Sequence, residues 1–366
     1  MFNNFTNHDK QSQSKDDIIF VGADPGNVAL KLAFFRGDNL YMRYIPNTNG
    51  PGINLTETPT GPDEKCLAVK VLSSENDSFR NQVHFIGDLA KRQLQADAEQ
   101  DRDRNKVSSD SVNLITPAAL GLFGNEKLVL CMGATSSDYE QQAPLLQKKM
   151  TGKHKIYYQY GSFAGQVVEP EVLATYTYAQ AVAGLFGLLY TKRVSSNDWK
   201  NSTVMALDFG HGQLSVAVLE NLDVVRRACF SLDFGFYQIA EAVQDYLNKA
   251  PYYVTATIPE LQDVVEKGYY LKHGKEISVR EIIDTATNNL METAYREIRA
   301  KITKVSQKLY DQISTIVVMG GGGETMAPVV GSKYGISPLI APDAVYINAI
   351  GLAWMAKRKW EKEHAG

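Results

Sequence analysis

The chain has 366 residues, of which 44% are hydrophobic and 22% charged, and a formal net charge of −3. That length holds two ordinary domains, and so balanced a charge gives no electrostatic ground for direct nucleic-acid binding, which relies on clustered Lys and Arg. Three scattered cysteines, Cys66, Cys131 and Cys229, lack metal-ligand spacing and fit a reducing cytoplasm rather than a disulfide framework, and no apolar run approaches the ~18 residues of a membrane span.

The first 17 residues, "MFNNFTNHDKQSQSKDD", carry no apolar core. They are therefore not a signal peptide, and their composition predicts a disordered polar tail. "IIFVGADPGNVALKLAFF", Ile18 to Phe35, then predicts two buried strands joined by a turn. Asp-Pro-Gly-Asn is ordinary turn chemistry. It is also a place where backbone N–H groups beside a carboxylate could hold phosphate and a metal ion. Ile45 to Glu64 is expected as a long loop by its Pro, Gly, Asn and Thr content. "CLAVKVL" and "QVHFIGDLA" predict strands, and a helix is expected from Leu89 to Arg104, its run "DAEQDRDRNK" a solvated face. "KLVLCMG" is a strand, "KIYYQYGSFAGQVVEP" one or two more, and a helix is expected from about Val172 through "LATYTYAQAVAGLFGLLY". Gly184 and Gly187 within it point to close packing.

The segment "STVMALDFGHGQLSVAVLENLDVVRR" repeats the beginning. Setting Asp208 on Asp24 places Gly210 on Gly26, Leu214 on Leu30 and Ala217 on Ala33. One copy opens each half of the chain, which predicts a duplicated α/β core. A helix at Tyr237 to Lys249 follows, then a loop with "EKGYYLKHGKEISV" and a long amphipathic helix at Val279 to Ile302. The strand Ile313 to Met319 runs into four glycines, Gly320 to Gly323, and the chain ends in a helix with a basic last turn.

Two Asp-x-Gly turns facing each other could clamp a triphosphate from both sides. Their carboxylates, Asp24 and Asp208, would hold a hydrated Mg²⁺, which prefers oxygen ligands and keeps several waters. The glycine run allows close backbone approach to a flat or phosphorylated ligand. Its spacing is not that of a Walker loop, and the Asp-x-Gly turns lack the GxGxxG order of a dinucleotide-binding fold.

In order and spacing these three pieces resemble the actin-like ATPases, and within them the plasmid-segregation branch, the ParM/StbA and Alp proteins. The resemblance implies an actin-like (ribonuclease-H-like duplicated) α/β fold: two similar domains with a nucleotide cleft between them. Residues 18–178 would form the first domain, completed by a C-terminal helix at 343–366, and 179–342 the second. It implies ATP as nucleotide, with GTP possible, and Mg²⁺ held through water by Asp24 and Asp208. The first phosphate loop would comprise Asp24, Gly26, Asn27 and Val28, with Lys31 reaching the β-phosphate unless it is a strand lysine facing solvent. Asp208, Gly210, His211 and Gly212 would form the second loop. Gly320, Gly321, Gly322, Gly323 and Glu324 would form the adenosine motif. "EPEVLATY" resembles the start of the family's interdomain helix, which makes Glu171 the water-activating carboxylate and Glu169 its substitute; the plain alternative is an acidic residue in a first helical turn. Asn27 stands where the family often has a hydroxyl, and His211 where Gly or Thr is common.

The function implied is a cytoplasmic, filament-forming ATPase of plasmid or DNA segregation. Its partners would be copies of itself and a DNA-binding adaptor, with no direct contact to nucleic acid. Nucleotide would act by differential contacts to open and closed states, and head-to-tail contacts that do not close into a ring would build the filament. A small-molecule kinase of the same superfamily would need a substrate pocket that the sequence does not display. A membrane-associated cell-shape or division protein could use "IGLAWMAKRKW" as an amphipathic anchor, although core packing of that helix is the plainer reading.

Overall fold

The computed structural model describes residues 18–364 apart from 62, 96–97 and 100–105. The polar tail at 1–17 and most of "DAEQDRDRNK" lie outside the described residues. Two mixed sheets carry the fold. In the first, Ile19–Pro25 pairs antiparallel with Ala29–Arg36 and parallel with Lys127–Ala134, and Glu171–Ala179 continues the parallel edge. In the second, Thr203–Phe209 pairs antiparallel with Leu214–Glu220 and parallel with Ile313–Met319, and Leu339–Ile340 continues it. The repeat seen in the sequence is therefore a repeat of sheet topology. Its central strands are buried along almost their whole length, as expected where other elements cover both faces.

A third sheet, built around Cys66–Val71 and His84–Gly87, belongs to the first half of the chain. It includes Asn49–Pro51, a short strand inside the segment expected as loop. The helix expected from Leu89 to Arg104 is observed as Asp88–Leu94. In the second half, Ile258–Lys267 is a helix where a loop was expected. Thr257 and Glu260 close its N-terminus with a capping box, and Gly268 ends it in the left-handed region.

One expectation needs correction because the site depends on it. Residues from Val172 do not enter a helix; Glu171–Ala179 is a strand, and the helix is Gln180–Tyr190. The physical reason is local. "VLATYTY" is rich in β-branched and aromatic residues, which favour a pleated, half-buried surface, and it pairs with Lys127–Ala134 from Val172 to Ala179. Helical pattern begins only at "QAVAGLFGLL".

This interdomain helix, Gln180–Tyr190, crosses a closing helix, Ile347–His364, at backbone contact. A Cβ on Gly351 would lie 1.8 Å from the Ala183 carbonyl oxygen, and one on Gly187 would lie 2.8 Å from that of Ile347. The closing helix also lies flat on the first sheet, where a Cβ on Gly22 would sit 2.1 Å from the Ala349 carbonyl oxygen. The two helices share both cores. Ile347 packs with Ala181, Leu185, Ala206 and Val317 of the second half, whereas Ala349, Ile350 and Ala353 pack on Ala33 and Phe35 of the first. The aromatic and basic residues of "IGLAWMAKRKW" are engaged with the protein: Trp354 meets Phe35 edge-on, and Lys357, Arg358 and Lys359 lie over Phe35, Tyr190 and Tyr176. Among the described residues no helix is long and apolar enough to cross a membrane.

Helix propensity alone favours Gly→Ala by about 1 kcal/mol. At Gly351 the backbone overlap reverses that sign, so Gly351→Ala will lower the unfolding free energy by about 2 kcal/mol or more. Gly321→Ala, where an added Cβ meets nothing within 4 Å, will change it by less than about 0.5 kcal/mol. Urea denaturation of both variants checks this; equal midpoints would refute the packing argument.

Candidate functional site

The two Asp-x-Gly turns have the same backbone hydrogen bonds. Gly26 N–H donates to the carbonyls of Asp24 and Ala29, each at 3.0 Å, and Gly210 N–H to those of Asp208 at 3.2 Å and Gln213 at 2.9 Å. A Cβ on either glycine would sit 2.9 Å from the carbonyl oxygen three residues on, so a larger residue would open the turn. In register, Asp24 faces Lys31 and Asp208 faces Ser215. Only the first copy therefore places a cation beside its aspartate, Lys31 Nζ lying 3.6 Å from Asp24 Oδ2. The turns touch at their tips, where a Cβ on Gly212 would be 2.7 Å from Asn27 Nδ2.

The glycine run crosses below the second turn. Gly320 has φ +85°, and a Cβ there would lie 2.5 Å from Asp208 Oδ1 and 2.6 Å from the Phe209 carbonyl oxygen. Both the left-handed backbone and the missing side chain are thus needed at this position. Gly322 N–H donates to the Phe209 carbonyl at 3.1 Å, and Gly323 opens the helix Gly323–Tyr334.

Between the turns lies a cleft of about 340 Å³, within the usual size of a small-molecule site. Asp24, Gly26, Asn27, Val28 and Lys31 line one wall; Asp208, Gly210, His211 and Gly212 line the other, with Gly320, Gly321 and Gly322 beside them. Gly323 is buried in its helix and Glu324 is exposed in the first turn; neither lines the cleft. Glu171 is a further correction. It pairs with Lys127 at the start of its strand, while the Asp24 end of the sheet lies beside Met132. At ~3.3 Å per residue, Glu171 is therefore roughly 20 Å from the cleft. Glu169 is no nearer in use, its carboxylate held by Lys155 Nζ at 3.1 Å.

Other residues take the vacated places. Gln180, the first residue of the interdomain helix, donates from Nε2 to Asp24 Oδ1. Asn348, in the first turn of the closing helix, donates from Nδ2 to Asp208 Oδ2 at 2.9 Å. Lys106, only 6% exposed, donates to Asn27 Oδ1 at 2.8 Å. Phe236 packs beside Gly322, and the Gln262 amide lies 3.4 Å from His211 Nδ1. Burial and then the Glu266 charge push Tyr44 up to about 12, so it lines the cleft as a neutral phenol. Gln180 was visible in the sequence as the break between a Thr/Tyr alternation and an apolar helix. Lys106 and Asn348 had no local signal.

The aspartates are nearly fully buried, at 3% and 7% exposure. Burial first, and the Asp24 charge second, push Asp208 up to about 6, opposed by the Asn348 hydrogen bond and by Lys31. Among the described residues no group of three or more His, Cys, Asp or Glu side chains could hold a metal unaided. The two buried carboxylates, Asp24 and Asp208, would fit a hydrated Mg²⁺, which needs few protein ligands because it keeps several waters.

This duplicated pair of hairpin sheets closed over one cleft is the actin-like fold, and each half of the chain matches a model of an actin-like family. Residues 22–182 match the family of actin-like proteins, N-terminal domain, and residues 207–330 match the C-terminal region of the archaeal actin homologue MreB-like family. Among solved structures, a ParM from Clostridium botulinum, determined as a 15-stranded filament, superposes with a TM-score of 0.76 at 17% identity, covering 94% of this chain and 100% of that one. Ta0583, an archaeal actin homologue in complex with ADP, gives 0.72 at 16% identity over 92% of this chain and 99% of that one. The actin-like protein Alp7A gives 0.70 at 15% identity over 94% and 97%. No curated protein sequence matches the chain.

A carboxylate whose folded-state value is raised stabilises the fold in its protonated form, and that contribution is lost as pH rises from the unfolded value through the folded one. Asp208→Asn will therefore gain stability over the parent protein between about pH 4 and pH 7. The difference should grow by about 3 kcal/mol in the absence of divalent metal and nucleotide. Thermal unfolding of both proteins across that range checks it; a constant difference would mean that the carboxylate is not destabilised by burial.

Proposed function

We propose that this chain is a nucleotide-dependent filament-forming ATPase that moves or positions DNA through an adaptor. The observation that carries the reading is the pair of matched turns, each with a buried aspartate and a glycine N-terminal to its second strand, meeting across one cleft. Backbone groups of the two turns would cradle the phosphates of ATP, and Lys31 would balance their charge. Phe236 and the three cleft glycines would receive the base and sugar. When bound, Mg²⁺ would supply positive charge to the phosphate oxygens, with Asp24 and Asp208 as its protein anchors.

Hydrolysis needs a water held for in-line attack on the γ-phosphorus, with the bond to the bridging β–γ oxygen breaking to give ADP and phosphate. Gln180 is the residue placed for this. Its Nε2 is fixed by Asp24, which leaves Oε1 to accept a hydrogen bond from the water. A neutral amide orients water and does not remove its proton, which passes to phosphate or solvent. The C. botulinum ParM filament and the ADP complex of Ta0583 support self-association and adenine nucleotide binding as the properties to test here.

Sedimentation with Mg-ATP, Mg-GTP, a non-hydrolysable analogue and no nucleotide will show nucleotide-dependent pelleting. Gln180→Ala will slow phosphate release roughly 100-fold, the scale of a misplaced reacting group, while still binding nucleotide, and Glu171→Ala will leave it unchanged. Tight binding without assembly at any concentration would replace the filament by a kinase acting on an acceptor hydroxyl. A slow Glu171→Ala variant would return the water-activating role to that carboxylate.

A further inference from the structure

Asn348 is out of place by composition. It is 5% exposed in a helical turn whose neighbours, Ile347, Ala349 and Ile350, are fully buried and apolar. Its Nδ2 donates to Asp208 Oδ2, but its Oδ1 is buried without a hydrogen-bond partner, facing the interdomain helix where Gly184 leaves room for it. A leucine would fill the same volume without a buried polar atom. The polar side chain therefore weakens packing at this turn, and its one compensating contact is the aspartate.

That contact crosses from one half of the molecule to the other. The closing helix is seated on the first sheet through Ala349, Ile350 and Ala353, whereas Asp208 ends a strand of the second sheet. With Oδ2 held by Asn348 and Oδ1 lying over Gly320, the carboxylate has one orientation. The first half mirrors this arrangement, since Gln180, at the start of the other crossing helix, grips Asp24.

We infer that Asn348 is a positioning residue, which fixes the Asp208 carboxylate for a divalent cation and makes cation binding there depend on the seating of the closing helix against both domains. The inference rests on the nucleotide reading of the cleft and adds to it a route by which the occupied site reaches the domain junction. Lys31 and Asp24 can still hold phosphate and cation without Asn348, so the residue governs the metal's share of binding rather than the nucleotide's.

The test uses the full chain with Asn348→Leu, and Asn348→Ala as a variant that cannot overpack. A fluorescent ATP analogue is titrated in EDTA and then at increasing Mg²⁺. Both variants should bind the analogue within about twofold of the parent in EDTA. Their half-saturating Mg²⁺ should rise by about 10- to 100-fold, the usual effect of removing a residue that orients a metal ligand. Hydrogen exchange supplies a readout independent of turnover. Mg-nucleotide should slow exchange across the first turn of the closing helix in the parent and not in the variants when nucleotide is bound. An unchanged Mg²⁺ midpoint in both variants overturns the inference, as does a parallel loss of EDTA binding, which would mark a scaffold role. If the parent itself binds no nucleotide with or without Mg²⁺, the functional reading fails on its own, before any variant is compared.

Discussion

Two carboxylates buried on the walls of one cleft are the constraint around which the rest is arranged. An ionised group removed from water costs several kcal/mol unless charge and hydrogen bonds replace its hydration, and here two like charges also oppose each other. The compensation comes from three distant parts of the chain: Lys31 from the next strand, Gln180 from the start of one crossing helix, and Asn348 from the first turn of the other. None of these can be supplied unless the sheets and both helices are already in place. The site is therefore a readout of the whole fold.

The crossing of the two helices sets how the halves relate. Glycines at the contact bring backbone against backbone, so small side chains rather than interlocking large ones separate the domains at that point. Such a junction has little side-chain volume to repack. The aspartate-gripping amides sit within the first turns of these helices, where a rotation of one domain against the other would be felt first.

Sequence made the duplicated turn legible because it is local. Asp, Gly and the flanking apolar strands recur at fixed spacing, and backbone hydrogen bonds spanning a few residues enforce that spacing in both copies. The glycine run was legible for a similar reason, although its last glycine serves the helix and not the cleft. Glu171 was misplaced because the likeness of "EPEVLATY" to a helix start outweighed the strand preference of its own Thr and Tyr residues. A strand advances twice as far per residue as a helix, so that misreading moves a side chain across the whole sheet. Lys106 and Asn348 could not be found by spacing. Lys106 meets a turn in the first strand pair, and Asn348 a turn in the second sheet, and only tertiary packing brings them there.

Gly22, near the start of the chain, lies against Ala349, near its end. During synthesis the first sheet therefore emerges with one apolar face bare, and its cover follows only after the strands of the second sheet. Ala33, Phe35, Val129 and Cys131 wait for Ala349 to Ala356 while the strands and helices of the second sheet are made. Contacts of such long sequence separation form slowly, and an uncovered sheet face is prone to aggregation. A chain broken off before its closing helix would keep both Asp-x-Gly turns and still have no finished domain to mount them on.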